Sequence, residues 1–416
     1  MNAEILSVGT ELLLGNIVNT DARDISVMLS ELGINVFWHT VVGDNPERLA
    51  AAVAIARERA DLIITTGGLG PTCDDLTKQT LASAFGLELY FDEPSAENIR
   101  AYFEKRSGGK MTENNLSQAM LPVGCTVFKN GWGTAPGCTF EKDGVHVIML
   151  PGPPRECGEM FRNCAVPYLS SLSDGLIVSH NLRIFGQGES AVEAKLRDMM
   201  NGLHNPTLAP YAKEGEVMLR VTAKADSREQ AEEMMKPVIE RVRETLGDII
   251  YGQDVESLEE TVFSLLREQG LTLAAAESCT GGLFAKRMTD MPGVSEVFRG
   301  GVTVYTDEAK TVLLGVPEQM IAENTAVSRP VAQALAGNVR AKLSADLGVG
   351  ITGVAGPDTD GVHDVGTVFV SLAAQDRVYT RELALGRMIT RDRCRILACN
   401  HALDMLRRHL TGLPVV

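Results

Sequence analysis

Long apolar runs are missing from this 416-residue sequence. No run reaches the roughly 18 apolar residues that a membrane-spanning helix needs. The first stretch, MNAEILSVGTELLLG, also lacks the basic segment and the cleavage site of a secretory signal peptide. Since 44% of the residues are apolar and 22% are charged, we expect two or three globular domains, a cytoplasmic location and no membrane partner.

Paired cysteines and an excess of positive charge are also missing. The eight cysteines include no CxxC pair, so the sequence predicts reduced thiols rather than a disulfide framework or a zinc site. The formal net charge of −15 opposes binding to nucleic acids, which we therefore do not expect as partners. A phosphorylated ligand would have to be held by backbone amides, a few cations or a metal.

Strand and helix patterns alternate in the first third of the chain, without internal repeats. The strands AEILSVG, INVFWHTVV and DLIITT are separated by amphipathic helices, and this order predicts a mostly parallel sheet with helices on both faces. Further on, GCTFEKDGVHVIML predicts a hairpin, and the prolines of PGPPREC end its second strand.

The pattern changes after about residue 180. Up to residue 252 the predicted order is strand, helix, two strands, helix, strand, which is typical of a small α+β unit. A second layered α/β pattern starts near residue 257 and ends with the helix RDRCRILACNHALDMLRRHL. We therefore predict three domains, with the boundaries 1–172, 173–253 and 254–416.

The stretch LAAAESCTGG places a hydroxyl, a thiol and two glycines at the end of a buried strand. Loops that leave the carboxyl end of a strand and enter a helix bind ligands in α/β domains. Ser278 lies in this loop, and the amides from Thr280 to Gly282 could hold a phosphate or a developing oxyanion. An ordinary helix N-cap with a tight turn is the alternative interpretation.

A second stretch, GGVTVYTDEAKTVLLG, makes a catalytic interpretation more specific. Its strand alternation places Tyr305 at the strand end, and Lys310 follows in the first turn of the next helix. A serine can use a lysine as its base when burial keeps the lysine partly neutral. A solvated lysine and a core tyrosine remain the alternative. Cys279 is the rival nucleophile, ranked second because no histidine or acid is evident beside it.

The stretch TTGGLGPTCDDLTKQT repeats this arrangement near the N-terminus with acidic residues. Gly67, Gly68 and Gly70 open the backbone after a strand, and Asp74 and Asp75 precede a helix. Adjacent carboxylates beside a glycine loop suit a divalent cation that is shared with phosphate oxygens. Helix capping by the same two acids is the alternative.

Five motifs of the last third together resemble the C-terminal domain of the CinA family. They are AESCTGG, GGVTVYTDEAKTVLLGV, AVS, GITGVAGPDTDG and TRDRCR, in the family's order. The resemblance implies a nicotinamide mononucleotide amidase, which releases nicotinic acid mononucleotide and ammonia and needs no cofactor. It implies Ser278 as nucleophile, Lys310 as its base and Tyr305 as a partner in proton transfer.

The same resemblance indicates which residues contact the substrate. Arg391 matches the arginine of the last motif, and Arg387 competes with it because the two residues before Arg391 differ from the family's usual Gly and Asp. The resemblance also implies two substrate-binding loops, formed by Thr280, Gly281 and Gly282 and by Gly353, Ala355 and Gly356.

The first third of the chain resembles the molybdopterin-binding-like domain that begins CinA proteins. The motifs are SVGTELLLGNIVNTDA, GGLGPTCDD and MLPGPPRE. The resemblance implies metal-dependent hydrolysis of ADP-ribose to AMP and ribose 5-phosphate, and the alternative is a molybdopterin-binding or adenylyl-transferring protein. Phosphate would bind at Gly67, Gly68 and Gly70 and a divalent metal at Asp74 and Asp75, with weaker expectations for Glu11, Asn19 and Glu156.

The middle unit resembles the KH-like domain of the same family. No GxxG occurs between residues 180 and 252, and this loop is what clamps a nucleic-acid backbone. We therefore expect a structural or interface module, with a competence-associated binding protein as the alternative. The overall expectation is an α/β protein in which two layered α/β domains are joined by a small α+β domain. The family resemblance also implies a homodimer and small nucleotides as ligands.

Overall fold

The computed structural model describes residues 1–107, 111–172 and 175–416. It divides into two compact units, one formed by Met1–Val178 with Lys224–Ala231 and one by Ser179–Ala223 with Glu232–Val416. None of the helices in these described ranges combines the length and the apolar character that crossing a membrane requires.

The first unit is a layered α/β domain. Its strands are β1 (Asn2–Val8), β2 (Asn35–Val42), β3 (Leu62–Thr66), β4 (Leu89–Phe91), β5 (Met120–Pro122), β6 (Thr126–Phe128), β7 (Gly137–Lys142) and β8 (Val145–Leu150). Its helices are α1 (Thr10–Leu13), α2 (Thr20–Glu31), α3 (Pro46–Arg59), α4 (Thr77–Ala84), α5 (Glu93–Ser107), α6 (Pro154–Met160) and α7 (Val166–Ser171).

The main sheet of this unit has the order β2-β1-β3-β8-β7-β6. The first four strands run parallel, and β7 and β6 continue the sheet antiparallel. Alternate residues of β3 enter different core clusters, with Ile63 in one and Ile64 in the other, because successive side chains of a strand point to opposite faces. This confirms the predicted parallel sheet with helices on both faces.

The middle segment has the predicted order of elements. They are β9 (Leu176–Ile184), α8 (Glu189–Gly202), β10 (Thr207–Lys213), β11 (Glu216–Ala225), α9 (Arg228–Leu246) and β12 (Ile250–Gln253). The sheet order is β10-β11-β9-β12.

The last part of the second unit is again layered α/β. Its strands are β13 (Leu273–Glu277), β14 (Phe298–Thr303), β15 (Leu347–Gly353), β16 (Thr367–Ala373) and β17 (Val378–Ala384). Its helices are α10 (Leu258–Gln269), α11 (Leu283–Thr289), α12 (Asp307–Leu314), α13 (Glu318–Asn324), α14 (Arg329–Lys342) and α15 (Arg391–Leu410). In the sheet, β14, β13 and β15 are parallel, and β16 and β17 follow antiparallel.

The structure differs from the sequence prediction in the bounds of two elements and in several elements that the sequence did not predict. The helix expected from Thr280 begins at Leu283, because Gly281 and Gly282 have left-handed backbone angles, with φ of 61° and 94°. Strand β14 ends at Thr303, two residues before Tyr305, since Thr306 already caps α12 by accepting a hydrogen bond from the Ala309 amide. The sequence did not predict nine further elements, namely β4, β5, β6, β17, α1, α5, α6, α7 and α13.

Helix α14 packs on β15 at a distance that only glycine permits. A Cβ added at Gly350 would lie 2.4 Å from the Ala332 carbonyl oxygen and 2.6 Å from the Ala336 nitrogen. By contrast, a Cβ at Gly337, inside α14, would meet nothing within 4 Å. The close approach holds β15, and with it the loop after Gly353, against the helix.

We predict opposite stability changes for these two glycines. Gly350→Ala should destabilise the protein by about 1–3 kcal/mol, because the added methyl group overpacks the interface between helix and strand. Gly337→Ala, the matched control, should stabilise it by up to about 1 kcal/mol, because alanine favours the helix. Urea unfolding of the full chain measures both changes, and wild-type stability of Gly350→Ala would contradict the close packing.

Candidate active sites

A cavity of about 230 Å³ lies at the carboxyl edge of the second unit's parallel strands. Ser278 follows β13, Tyr305 follows β14 by two residues, and Gly353 ends β15. All three line the cavity together with Lys310 and Arg391. Parallel strands bring their carboxyl ends to one edge of the sheet, so residues far apart in the sequence meet here. Ser278 is 8% exposed, which leaves it partly screened from water.

The Lys310 side chain is buried at the wall of this cavity. Only 2% of the residue is exposed. Its ammonium group pairs with the Asp307 carboxylate, with 3.6 Å between Nζ and Oδ1. Burial lowers the pKa of Lys310 below its ordinary value, while the negative charge of Asp307 acts in the opposite direction. The neutral amine that a general base needs is therefore more populated here than on a solvated lysine.

The rival nucleophile Cys279 lines the same cavity but is electrostatically disfavoured. Its thiol is buried, and this burial raises the pKa of Cys279 to about 12. Because the thiolate is the reactive form of cysteine, this shift disfavours Cys279 as a nucleophile near neutral pH.

Arg391 is the arginine at the cavity. It is the first residue of α15 and donates from Nη1 to the Gly356 carbonyl and from Nη2 to the Tyr305 hydroxyl. Arg387, the competing candidate, is 77% exposed in its side chain, pairs with Asp364 at 2.8 Å and does not line the cavity. Arg391 thus links the tyrosine that follows β14 to the loop that follows β15. Ala355 and Gly356 of that loop also line the cavity.

Thr280, Gly281 and Gly282 do not lie where the sequence predicts substrate donors. The Gly281 amide donates to the Ser278 carbonyl at 3.1 Å, and the Gly282 amide donates to Glu277 Oε2, also at 3.1 Å. Thr280 is fully buried, and within the described chain its hydroxyl has no hydrogen-bond partner. The amides of Gly281 and Gly282 are therefore occupied within the chain and are not available to a ligand. Glu277 precedes Ser278 in the AESCTGG motif, but its role was not predicted.

Acidic residues also form part of the cavity lining. Asp358, Thr359 and Asp360 follow the predicted glycine loop and were missed as lining residues. Asp360 is held in place because its carboxylate accepts hydrogen bonds from the amides of Val362 and His363. These bonds lower the pKa of Asp360, against the effect of its partial burial. The cavity thus carries both signs of charge.

A second cavity, of about 550 Å³, lies at the carboxyl edge of the first unit's parallel strands. The predicted residues Gly67, Gly68, Gly70, Asp74 and Asp75 all line it, as do Glu11 and Glu156. Asn19 lies elsewhere, since its side chain caps α2 by accepting from the Ala22 amide and donates to Ser7. Asp44, which follows β2, also lines this cavity, and no motif in the sequence pointed to it.

Thr72 holds the two adjacent aspartates of the first unit. Its amide donates to Asp75 Oδ2 at 2.9 Å, and its hydroxyl contacts both carboxylates. The hydrogen bond from Thr72 lowers the pKa of Asp74. Across the residues that the structure describes, no three histidine, cysteine or acidic side chains gather as a metal site. Two carboxylates still fit a cation such as Mg²⁺, which takes its other ligands from phosphate and water.

Comparisons with known protein families cover nearly the whole chain. Residues 4–171 match the model of a probable molybdopterin binding domain, residues 179–252 match the damage-inducible protein CinA KH domain, and residues 255–410 match the CinA C-terminal domain.

Similar proteins come from several bacteria and from an archaeon. A CinA-like protein of Dictyoglomus turgidum is 48% identical over 99% of this chain and 100% of its own length. A CinA-like protein of Desulfovibrio desulfuricans is 49% identical over 100% of this chain and 97% of its own. The crystal structure of a CinA protein of unknown function from Thermoplasma acidophilum is 36% identical and covers 39% of this chain and 95% of its own, with a TM-score of 0.36. The full-length similarity and the three matched domains show that the chain belongs to the CinA family.

Proposed function

We propose that the cavity of the second unit hydrolyses the carboxamide of nicotinamide mononucleotide to nicotinic acid mononucleotide and ammonia. The supporting observation is that Ser278, Tyr305 and the buried Lys310 line one cavity with Arg391. Amide hydrolysis requires a nucleophile, a base that can return its proton to the leaving amine, and donors for the oxyanion. The family resemblance of the motifs supports the choice of substrate.

Each residue has a defined part in this reaction. The neutral Lys310 amine takes the proton of Ser278 Oγ as the oxygen attacks the carboxamide carbon, which gives a tetrahedral oxyanion. That intermediate breaks its C–N bond, and the proton passes from Lys310 through Tyr305 to the departing ammonia. Water then attacks the acyl ester, with Lys310 again as base, and the acid and the free serine are released. Arg391 fixes the Tyr305 hydroxyl for the transfer.

Replacing the nucleophile should abolish turnover. We predict that Ser278→Ala releases ammonia from nicotinamide mononucleotide at least ~10³-fold more slowly than the wild type, because no oxygen remains to form the acyl ester. Cys279→Ala should lose far less activity, since its thiol is protonated. A coupled ammonia assay measures both variants, with circular dichroism to confirm folding. An active Ser278→Ala together with an inactive Cys279→Ala would transfer the nucleophile to the thiol.

The pH dependence of the reaction should depend on Asp307. The active lysine is the neutral one, so kcat/KM rises as the pH increases through the pKa of Lys310. Asp307 raises this pKa; Asp307→Asn should therefore shift the acidic limb of the profile to lower pH. Glu308→Gln is the matched control, because it removes the neighbouring charge of the same helical turn. Equal shifts of the acidic limb in the two variants would contradict a specific effect of Asp307 on Lys310, because the net charge of the helix would then account for both.

We propose a second activity for the cavity of the first unit, metal-dependent hydrolysis of ADP-ribose to AMP and ribose 5-phosphate. The observation that favours it is the pair Asp74 and Asp75, held by Thr72 beside the glycine loop. These carboxylates would hold a divalent cation whose chemistry, when bound, is to polarise the phosphoryl group. The amides of the glycine loop would position the pyrophosphate.

This second activity should depend on both aspartates. Asp74→Asn and Asp75→Asn should each lower ADP-ribose hydrolysis at least ~10-fold by weakening metal binding, and a chelator should stop the wild type. Asp143→Asn is the control, since it removes a carboxylate at a hairpin turn that is not part of the cavity lining. Hydrolysis would be measured as AMP formed. Tight molybdopterin binding without turnover under any divalent metal would favour the binding-protein alternative.

A further inference from the structure

We propose that Glu277 is a positioning residue for the nucleophile, and that it acts together with Arg395 by fixing the loop from Ser278 to Gly282. This inference rests on the proposed amidase for its main assay. Glu277 accepts a hydrogen bond from the last amide of this loop, and Arg395 donates to one of its carbonyls. We call the five residues from Ser278 to Gly282 the nucleophile loop.

The Glu277 carboxylate is buried at the end of β13 and folds back over the start of α11. The residue is 1% exposed. Its Oε1 accepts from the Ala285 amide at 2.8 Å, and its Oε2 accepts from the amides of Gly282 and Phe284 at 3.1 and 3.0 Å. A helix leaves its first amides without partners inside the helix, and here one side chain satisfies three of them. All three partners are donors, so the ionised acid fits and an amide side chain does not.

Arg395 holds the same loop from helix α15. Its Nε and Nη2 both donate to the Thr280 carbonyl, at 3.0 and 2.7 Å. The Ser278 amide itself donates to the Ile351 carbonyl of β15 at 2.9 Å. The loop is therefore attached to β15, to the start of α11 and to α15, and Ser278 lies between these attachments.

The amides of the nucleophile loop differ in whether they are already hydrogen-bonded within the chain. The Gly281 amide donates to the Ser278 carbonyl and the Gly282 amide donates to Glu277. Neither amide is therefore free to bind the substrate. Cys279 follows the nucleophile and lines the cavity. In hydrolases with a strand–nucleophile–helix turn, the amide of this next residue stabilises the oxyanion. Glu277 would thus orient both the attacking oxygen and the backbone that must stabilise the developing charge.

The test compares Glu277→Gln and Arg395→Met with the control Arg393→Met. Arg393 lies on the same helix and contributes no side-chain bond to the loop in the described chain. Glu277→Gln keeps the shape of the side chain but turns one acceptor into a donor that faces backbone N–H groups. We expect kcat for ammonia release to fall about 10²-fold, as for a small misplacement of reacting groups, with KM nearly unchanged. Arg395→Met should show a smaller loss, and Arg393→Met should match the wild type.

Two further measurements separate positioning from other roles. The acidic limb of the pH profile should stay where it is in Glu277→Gln, because Lys310 and Asp307 are untouched; a moved limb would make Glu277 a titrating participant and overturn the proposal. Labelling of Ser278 by a fluorophosphonate, followed by mass spectrometry, measures serine reactivity without the nucleotide. It should slow in Glu277→Gln and in Arg395→Met.

The labelling experiment also distinguishes this inference from the proposed function. If the wild type is labelled at Ser278 but releases no ammonia, the amidase is wrong, and the labelling rates alone decide the role of Glu277. Labelling of both variants at the wild-type rate would contradict positioning, as would a wild type that is not labelled at all. If Glu277→Gln does not fold, Arg395→Met tests the same loop from the other side.

Discussion

Parallel strands deliver their loops to one edge of a sheet, and both candidate sites of this protein depend on that constraint. In the second unit, β13, β14 and β15 place a serine, a tyrosine and a glycine loop around one cavity. In the first unit, the loops after β1, β2, β3 and β8 do the same with carboxylates and glycines. Such an edge is common to α/β folds with different functions, and the residue types in the loops determine which chemistry each cavity supports.

The two cavities use charge in different ways. In the second unit a cation is buried, so that desolvation lowers the pKa of Lys310 and makes an amine available as base. In the first unit several carboxylates line a wider cavity, and such a site needs a cation before a phosphate can approach. The negative net charge therefore does not argue against the proposed phosphorylated ligands, since the local arrangement of charges matters more than the net charge.

Close backbone packing fixes the geometry that this chemistry requires. Helix α14 approaches β15 where a methyl group on Gly350 would overlap the helix backbone. The buried carboxylate of Glu277 and the guanidinium of Arg395 hold the backbone of the nucleophile loop through hydrogen bonds to Gly282 and Thr280. In the proposed reaction, a serine held in this way would lose little entropy on reaching the reactive geometry.

The sequence by itself determined the order of the strands in the parallel part of each sheet and of the main helices between them, because their apolar periodicity and their glycine or proline breaks are pronounced. It did not assign the elements between α4 and β7, such as the helix α5. It also identified Ser278, Tyr305 and Lys310 as candidates, because the two hydroxyl residues stand at predicted strand ends and the lysine stands in the first turn of the next helix. Only the tertiary structure decided between Arg391 and Arg387, brought Asp44 to the first cavity, and showed that the Gly282 amide, expected to bind substrate, donates to Glu277. These outcomes depend on contacts between segments that are distant in sequence or on the direction of one side chain, and no local pattern encodes either.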